Sequence, residues 1–176
     1  MRAAAAARLA GDATIPRMTD DTLQALDGFR TRALARLRAA GCDLHDEAAV
    51  ARLALASDFA IDVLERQPAL LAALLADATV PLAPPVLLPD AAGDWARQLR
   101  RYRQAESTRL VWRDVVDGAD VEEILAGSSA LAEACLRCAL DALEADFARR
   151  FGVVRAGDGT PQRLVVFGLA SWAAAN

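Results

Sequence analysis

Four prolines within nine residues, Pro81, Pro84, Pro85 and Pro89, place the tightest limit on how this 176-residue chain folds. Each lacks an amide donor and has a fixed φ, so neither a helix interior nor a central strand runs through them. Residues 78–93 are therefore predicted to be a connector between two helical blocks. On its N-terminal side lies a block over 18–77, preceded by a low-complexity leader over 1–17. There Leu23, Leu26, Phe29, Ala33, Leu34 and Leu37 recur at helical spacing. Thr19 stands in front as a cap, Asp20 and Asp21 form an acidic first turn, and Gly41 closes the run. A second helix is expected over about 46–56 and a third from Ser57 or Asp58 to Arg66. A fourth, Pro68 to Ala76, has its proline in the first turn, where the missing N–H costs nothing.

The second block spans 94–152 and is predicted to be a bundle of long helices. Asp94 opens a helix reaching about Val116, which Asp117-Gly118 breaks. Ala119 to Ala126 reads as a short acidic helix, and Gly127-Ser128-Ser129 as a reset before a long helix from Ser128 to Phe151, ended by Gly152. That last helix carries large residues on one face (Leu136, Leu140, Leu143, Phe147) and small ones on another (Cys135, Cys138, Ala142, Ala145). Both faces need cover, so the helix is expected to lie between neighbours. After the turn cluster Gly157 to Pro161, the β-branched stretch within 162–169 predicts a buried strand, and a strand needs pairing partners that a helical remainder does not offer. The fold class is mainly α, a helical bundle followed by one strand.

Composition removes much of the catalytic inventory. All 20 basic residues are arginine, so a Schiff-base lysine and a Gly-Lys-Ser/Thr phosphate loop are excluded from these residues. One histidine, His45, and three cysteines do not make a self-contained zinc site. A net charge of -4 and 5% aromatics argue against nucleic acid as a partner. The charge-free runs 78–89 and 164–176 are too short to span a bilayer, and Met1 to Ala10 is too short an apolar stretch for a secretory signal, so no membrane is expected. With an odd cysteine count, the simplest location is the cytoplasm.

The most distinctive stretch runs from Leu99 to Asp114. Trp95, Leu99, Tyr102 and Leu110 form one helical stripe, and Glu106 falls in its middle. A carboxylate there requires a partner, and Tyr102, Arg109 and Arg113 lie within one or two turns. The readings left open are a satisfied buried ion pair and a set of arginines facing a phosphate or an acidic partner. Arg100, Arg101, Arg103, Glu106, Arg109 and Arg113 are thus the structural or partner-contact candidates. Cys135 and Cys138 have redox spacing but sit mid-helix, where small packing residues are the simpler account. His45 reads as a surface or capping residue. The run Asp114, Asp117, Asp120, Glu122 and Glu123 lacks calcium-loop spacing and reads as capping and solvation.

Several stretches together resemble one family. Ser57-Asp58-Phe59 with Pro68 looks like an early helical signature, and Leu99-Arg100-Arg101-Tyr102-Arg103, Glu106, Arg109 and Trp112-Arg113-Asp114 look like a central L-R-x-[FY]-R…E-x-x-R-[IL]-x-W-R-D helix. Arg150-Phe151-Gly152 and Arg163-Leu164-Val165-Val166-Phe167-Gly168 follow in order, and the likeness covers about 45–169. The family is the bifunctional glutamine synthetase adenylyltransferase/adenylyl-removing enzymes, of which the chain resembles the N-terminal part; Gln104 stands where another arginine is expected. The resemblance implies a large cytoplasmic enzyme that transfers AMP from ATP to a tyrosine of glutamine synthetase and removes it by phosphorolysis, controlled by PII signal proteins and glutamine. It implies magnesium and ATP as cofactors of the full-length family, and glutamine synthetase and a PII protein as partners. It also makes 162–169 the first strand of a truncated nucleotidyltransferase-like α/β domain, with Gly168 as the first glycine of a nucleotide-binding loop.

After Leu169 the family pattern expects Gly-Lys-Leu-Gly-Gly, whereas the chain reads Ala170-Ser171-Trp172-Ala173. Loss of one G from GGC-AAG-CTG-GGC-GGC yields Ala-Ser-Trp-Ala, so 170–176 is expected to be an out-of-family tail from a frame change. The DNA read one frame over is expected to restore the loop and a later Ser-Asp-x-Asp. On this reading no catalytic or metal-binding residue is present, no cofactor is expected for this chain alone, and the chain is inactive. The alternative is a non-catalytic helical module that binds glutamine synthetase or a PII protein.

Overall fold

The computed structural model describes residues 19–166. Six helices account for most of them: α1 (Asp20–Ala39), α2 (Glu47–Ala56), α3 (Asp58–Arg66), α4 (Pro68–Asp77), α5 (Trp95–Val115) and α6 (Val121–Phe151). The N-terminal starts follow local cap chemistry. The side chains of Thr19, Asp46 and Ser57 accept from the amides of Thr22, Ala49 and Ala60, and Pro68 occupies the first turn of α4. At the end of α1, Gly41 takes a φ of 84°, which lets Cys42 N–H reach the Leu37 carbonyl and Gly41 N–H reach that of Arg38. These paired bonds form a Schellman motif, which consumes two orphan carbonyls and turns the chain toward α2.

The core lies among α1 to α4 and the inner face of α5. Leu37, Leu53, Ile61, Leu64 and Leu71 are fully buried there, with Trp112 of α5 packed against them. Each such leucine contributes about 1.5–3 kcal/mol by leaving water. Ion pairs rim this block: Arg36 reaches Asp62 (2.6 Å) and Glu65 (2.5 Å), tying α1 to α3, and Arg38 pairs with Glu47. The connector carries no regular structure until a 3₁₀ turn, Pro89–Asp94, where the Trp95 indole N–H donates to the Leu88 carbonyl (2.8 Å). Asp94 opens α5 without a capping bond from its side chain and pairs with Arg97 instead.

One expectation is corrected and one is not shown. Gly127-Ser128-Ser129 does not interrupt the chain, because α6 runs unbroken from Val121 to Phe151. Gly127 is a close-approach residue: a Cβ there would lie 2.5 Å from a Leu110 methyl. The glycine therefore lets α5 and α6 press together, and the Ser129 hydroxyl is absorbed by the Leu125 carbonyl (3.0 Å). The expected strand is likewise not seen in the described residues. Residues 162–166 form no ladder, and the one bridge is Arg155 with Pro161 across the turn cluster. Among the described residues this β-branched run meets no other strand, and its continuation over 167–169, with Gly168, lies outside the described residues. Gly152 does end α6, with a φ of 83°.

Candidate functional site

The arginine-rich helix α5 is where the sequence concentrates its candidates, and the fold assigns them different surroundings. Its inner face meets α2, α3 and α4, and its other flank meets α6. Glu106 and Arg109 are buried together, their side chains 5% and 6% exposed. Arg109 Nε and Nη2 both donate to Glu106 Oε1 (2.9 and 2.6 Å), and Arg109 Nη1 donates to the Ala78 carbonyl (2.8 Å). The second Glu106 oxygen accepts from Leu82 N–H at 3.0 Å. Every strong polar group of the pair thus has a partner, the condition under which two charges survive burial. Its two backbone contacts fall on the proline-rich connector, so the pair fastens that irregular segment to α5.

Arg113, expected near Glu106, turns the other way. It bonds Asp117 (3.0 Å) and grips both oxygens of Glu123 (2.9 and 3.0 Å), which ties the end of α5 to the first turn of α6. The same contact holds the Glu123 carboxyl below its ordinary value. The acidic run is therefore partly consumed by one arginine. Arg101 Nε donates to the Gln67 side chain (3.1 Å), bracing α5 against the α3–α4 junction. Arg100 and Arg103 are exposed and have no carboxylate partner among the described residues. Arg103 lies at one end and Asp114 at the other of a groove of about 410 Å³ between α5 and α6, floored by Leu110, Val111 and Leu131.

The remaining candidates sit apart. His45 is exposed, 3.7 Å from Asp43. Tyr102 is half-buried in the neighbourhood of Glu106 and of Cys135 and Cys138, and burial pushes its phenol up. Burial also pushes the Cys135 thiol up, which leaves it the less reactive neutral form. Three features escaped the sequence reading. They are the Gly127–Leu110 approach, the Gln67 contact to Arg101, and a cluster in which Arg163 Nε donates to Glu144 (2.9 Å) and Nη2 to Asp141 (3.0 Å) while Leu164 N–H donates to Glu144 (3.0 Å). All are pairings across long stretches of sequence; only the isolated helical glycine gave a local signal.

Among the described residues no three His, Cys, Asp or Glu side chains gather where an ion would sit, and the 176 residues include no lysine to meet a phosphate. No helix among the described residues is long and apolar enough to cross a membrane.

Comparison with known proteins converges on one group. The chain is 58% identical over 118 residues to the bifunctional glutamine synthetase adenylyltransferase/adenylyl-removing enzyme of Stenotrophomonas maltophilia (strain K279a), covering 67% of this chain and 13% of that protein. It is 60% identical over 120 residues to the enzyme of the same name from Xanthomonas campestris pv. campestris (strain B100), covering 68% and 13%. With the enzyme of that name from Methylococcus capsulatus it shares 41% over 73 residues, 42% of this chain and 8% of the relative. The chain thus spans 13% of the length of the first two relatives. No solved structure matches. The family model described as glutamate-ammonia ligase adenylyltransferase matches residues 47–172, a stretch that holds the connector, its buried ion pair and all of α5 and α6. The chain belongs to the glutamate-ammonia ligase adenylyltransferase family.

Proposed function

We propose that this chain is a helical segment of an enzyme that attaches AMP from ATP to a tyrosine of glutamine synthetase and removes it by phosphorolysis, and that the 176 residues are inactive by themselves. The family match over 47–172 carries the first part. The second rests on chemistry: phosphoryl-type transfer works by positioning phosphates and neutralising charge with metal ions, and the 176 residues hold no lysine and the described residues no cluster of three metal-ligating side chains for that work. In the longer protein, magnesium and ATP bind outside these residues, glutamine synthetase is the substrate, a PII protein is the regulator, and the cytoplasm is the location. The test is to incubate the purified chain with magnesium and adenylylated glutamine synthetase plus phosphate, and separately with ATP and the unmodified enzyme. Neither AMP release nor AMP incorporation is expected, and magnesium-dependent turnover in either assay would refute inactivity.

That Arg100 and Arg103 are exposed with no carboxylate partner among the described residues favours a second reading, in which the segment also binds glutamine synthetase or a PII protein without catalysis. A pull-down with each partner decides this. Arg100→Glu with Arg103→Glu abolishes capture if these arginines are the contact and leaves it unchanged if they are not.

A further inference from the structure

Helices α5 and α6 form an antiparallel hairpin. Leu110 packs on Gly127 and Arg113 grips Glu123, so the stretch of α5 around Thr108 and Arg109 lies level with about residue 129 of α6. Along the hairpin runs the groove floored by Leu110, Val111 and Leu131, with Arg103 and Asp114 at its two ends, about 16 Å apart along α5. Both charges are exposed, and neither has an ion-pair partner among the described residues. On the groove side of α6, Leu125, Ser129, Ala132, Leu136, Ala139 and Leu143 follow one another at alternating steps of four and three. That is the spacing of a seam where one helix packs along another, and the small residues in it leave room for close approach. Leu125, Leu136 and Leu143 are nevertheless 63%, 49% and 44% exposed. The face of α6 opposite α5 is charged, with Glu133, Arg137 and Glu144, so the seam lies between that face and the groove.

We propose that the groove and the seam beside it are the contact surface for a second copy of this chain, the two hairpins closing into an antiparallel four-helix bundle about a two-fold axis. Such an axis, set perpendicular to the helices, lays each helix against its own copy in reverse, so a residue before the axis meets the one equally far beyond it. With the axis at Thr108 and Arg109, Arg103 faces Asp114 of the copy, and Asp114 faces Arg103 of the copy. The same axis crosses α6 within about two residues, or 3 Å, of the midpoint between Leu125 and Leu136. These two leucines are also eleven residues apart, so Leu125 meets Leu136 of the copy while Ser129 and Ala132 stand at the crossing. One symmetry operation thus pairs both free charges and covers the seam, which selects a second copy over an unrelated helix. The inference stands apart from the enzymatic reading, since it concerns a different surface property of the same hairpin.

Sedimentation equilibrium tests this on the 176-residue chain, whose mass is 18.7 kDa. At about 100 μM a particle of twice that mass is expected, dissociating on dilution. Arg103→Asp leaves an acid at both ends of the groove and Asp114→Arg a base at both. Each places two like-charge contacts across the axis, so the dissociation constant rises at least about tenfold. The chain carrying both exchanges dimerises again, and equal parts of the two single variants form a mixed dimer. Leu125→Glu dissociates the dimer, while Arg52→Glu, on the exposed side of α2, leaves it intact. A chain that stays monomeric at about 100 μM overturns the proposal. So does a dimer indifferent to both single exchanges, or one lost in them that neither the double exchange nor mixing restores. Capture of glutamine synthetase by a monomeric chain, abolished by Leu125→Glu, overturns it too, because the groove then takes another partner. If an exchange unfolds the chain, cross-linking decides instead. Ser129→Cys, beside the axis, is expected to join two copies under mild oxidation at least about tenfold faster than Arg52→Cys does, and equal rates overturn the proposal.

Discussion

The two ends of the molecule treat similar residues in opposite ways. In α1 to α4, short helices of nine to twenty residues bury their leucines against one another and leave charges at the rim. In α6, thirty-one residues bury Leu131, Ala142 and Asp146 and turn their larger apolar side chains outward. Helix propensity does not distinguish them, since both are rich in alanine and leucine. What differs is whether a neighbour is present, because most helical stability comes from the packed face. The N-terminal block holds its own core, whereas among the described residues α6 packs mainly along α5.

That contrast is open to attack by substitution. The largest effect is expected at the joint between the blocks. Glu106→Ala leaves the Arg109 guanidinium buried without its carboxylate and lowers unfolding free energy by about 3–5 kcal/mol, measured by urea denaturation. Replacing both residues with leucine costs less than the single change, because no orphan charge remains. Leu64→Ala, in the centre of the α1–α4 core, costs about 2–5 kcal/mol in the same measurement. Leu143→Ser on the outer face of α6 is expected to change stability by less than about 1 kcal/mol; a loss matching that of Leu64→Ala would abolish the distinction between the two ends. Gly127→Ala is a finer probe. The methyl group runs into Leu110, and the expected loss of about 1 kcal/mol becomes a gain when Leu110 is also alanine, since alanine then contributes only its higher helix propensity.

The smallest effect concerns pH. The bond from Arg163 holds the Glu144 carboxyl below its ordinary value. A carboxyl whose folded value is depressed stabilises its contact above the unfolded value, about 4.3, and loses that contribution as pH falls through the folded one. Acidification from neutrality is thus expected to release Arg163 and Leu164 from α6 only below about pH 4, seen as a shift of the Leu164 amide resonance, while the α1–α4 core stays folded.

Much of the helical layout was legible because its signals are local. Thr19, Asp46, Ser57, Pro68, Gly41 and Gly152 act within one turn of themselves, and each sits where its chemistry predicts. The buried pairing of Glu106 with Arg109 was also within reach, since the two are three residues apart on one helix. Gly127 was misread because its purpose is Leu110, seventeen positions away, and a glycine that admits a neighbouring helix looks in sequence like one that ends its own. Arg113 was misassigned for a related reason: helical spacing pointed to Glu106, but the stronger grip is on Glu123 across the turn. The candidates on α5 separate only when non-local contacts are known, into arginines that hold the fold and the exposed pair Arg100 and Arg103.

The depth of the Glu106–Arg109 pair has a consequence for cooperativity. Salt screens the exposed pairs at Arg36 and Arg38, but a pair shielded from solvent scarcely feels the ionic atmosphere. As ionic strength rises, the link among connector, α5 and the N-terminal core therefore accounts for a growing share of the remaining electrostatic cohesion. In concentrated salt the rim loosens first, and α1 to α5 still melt as one unit.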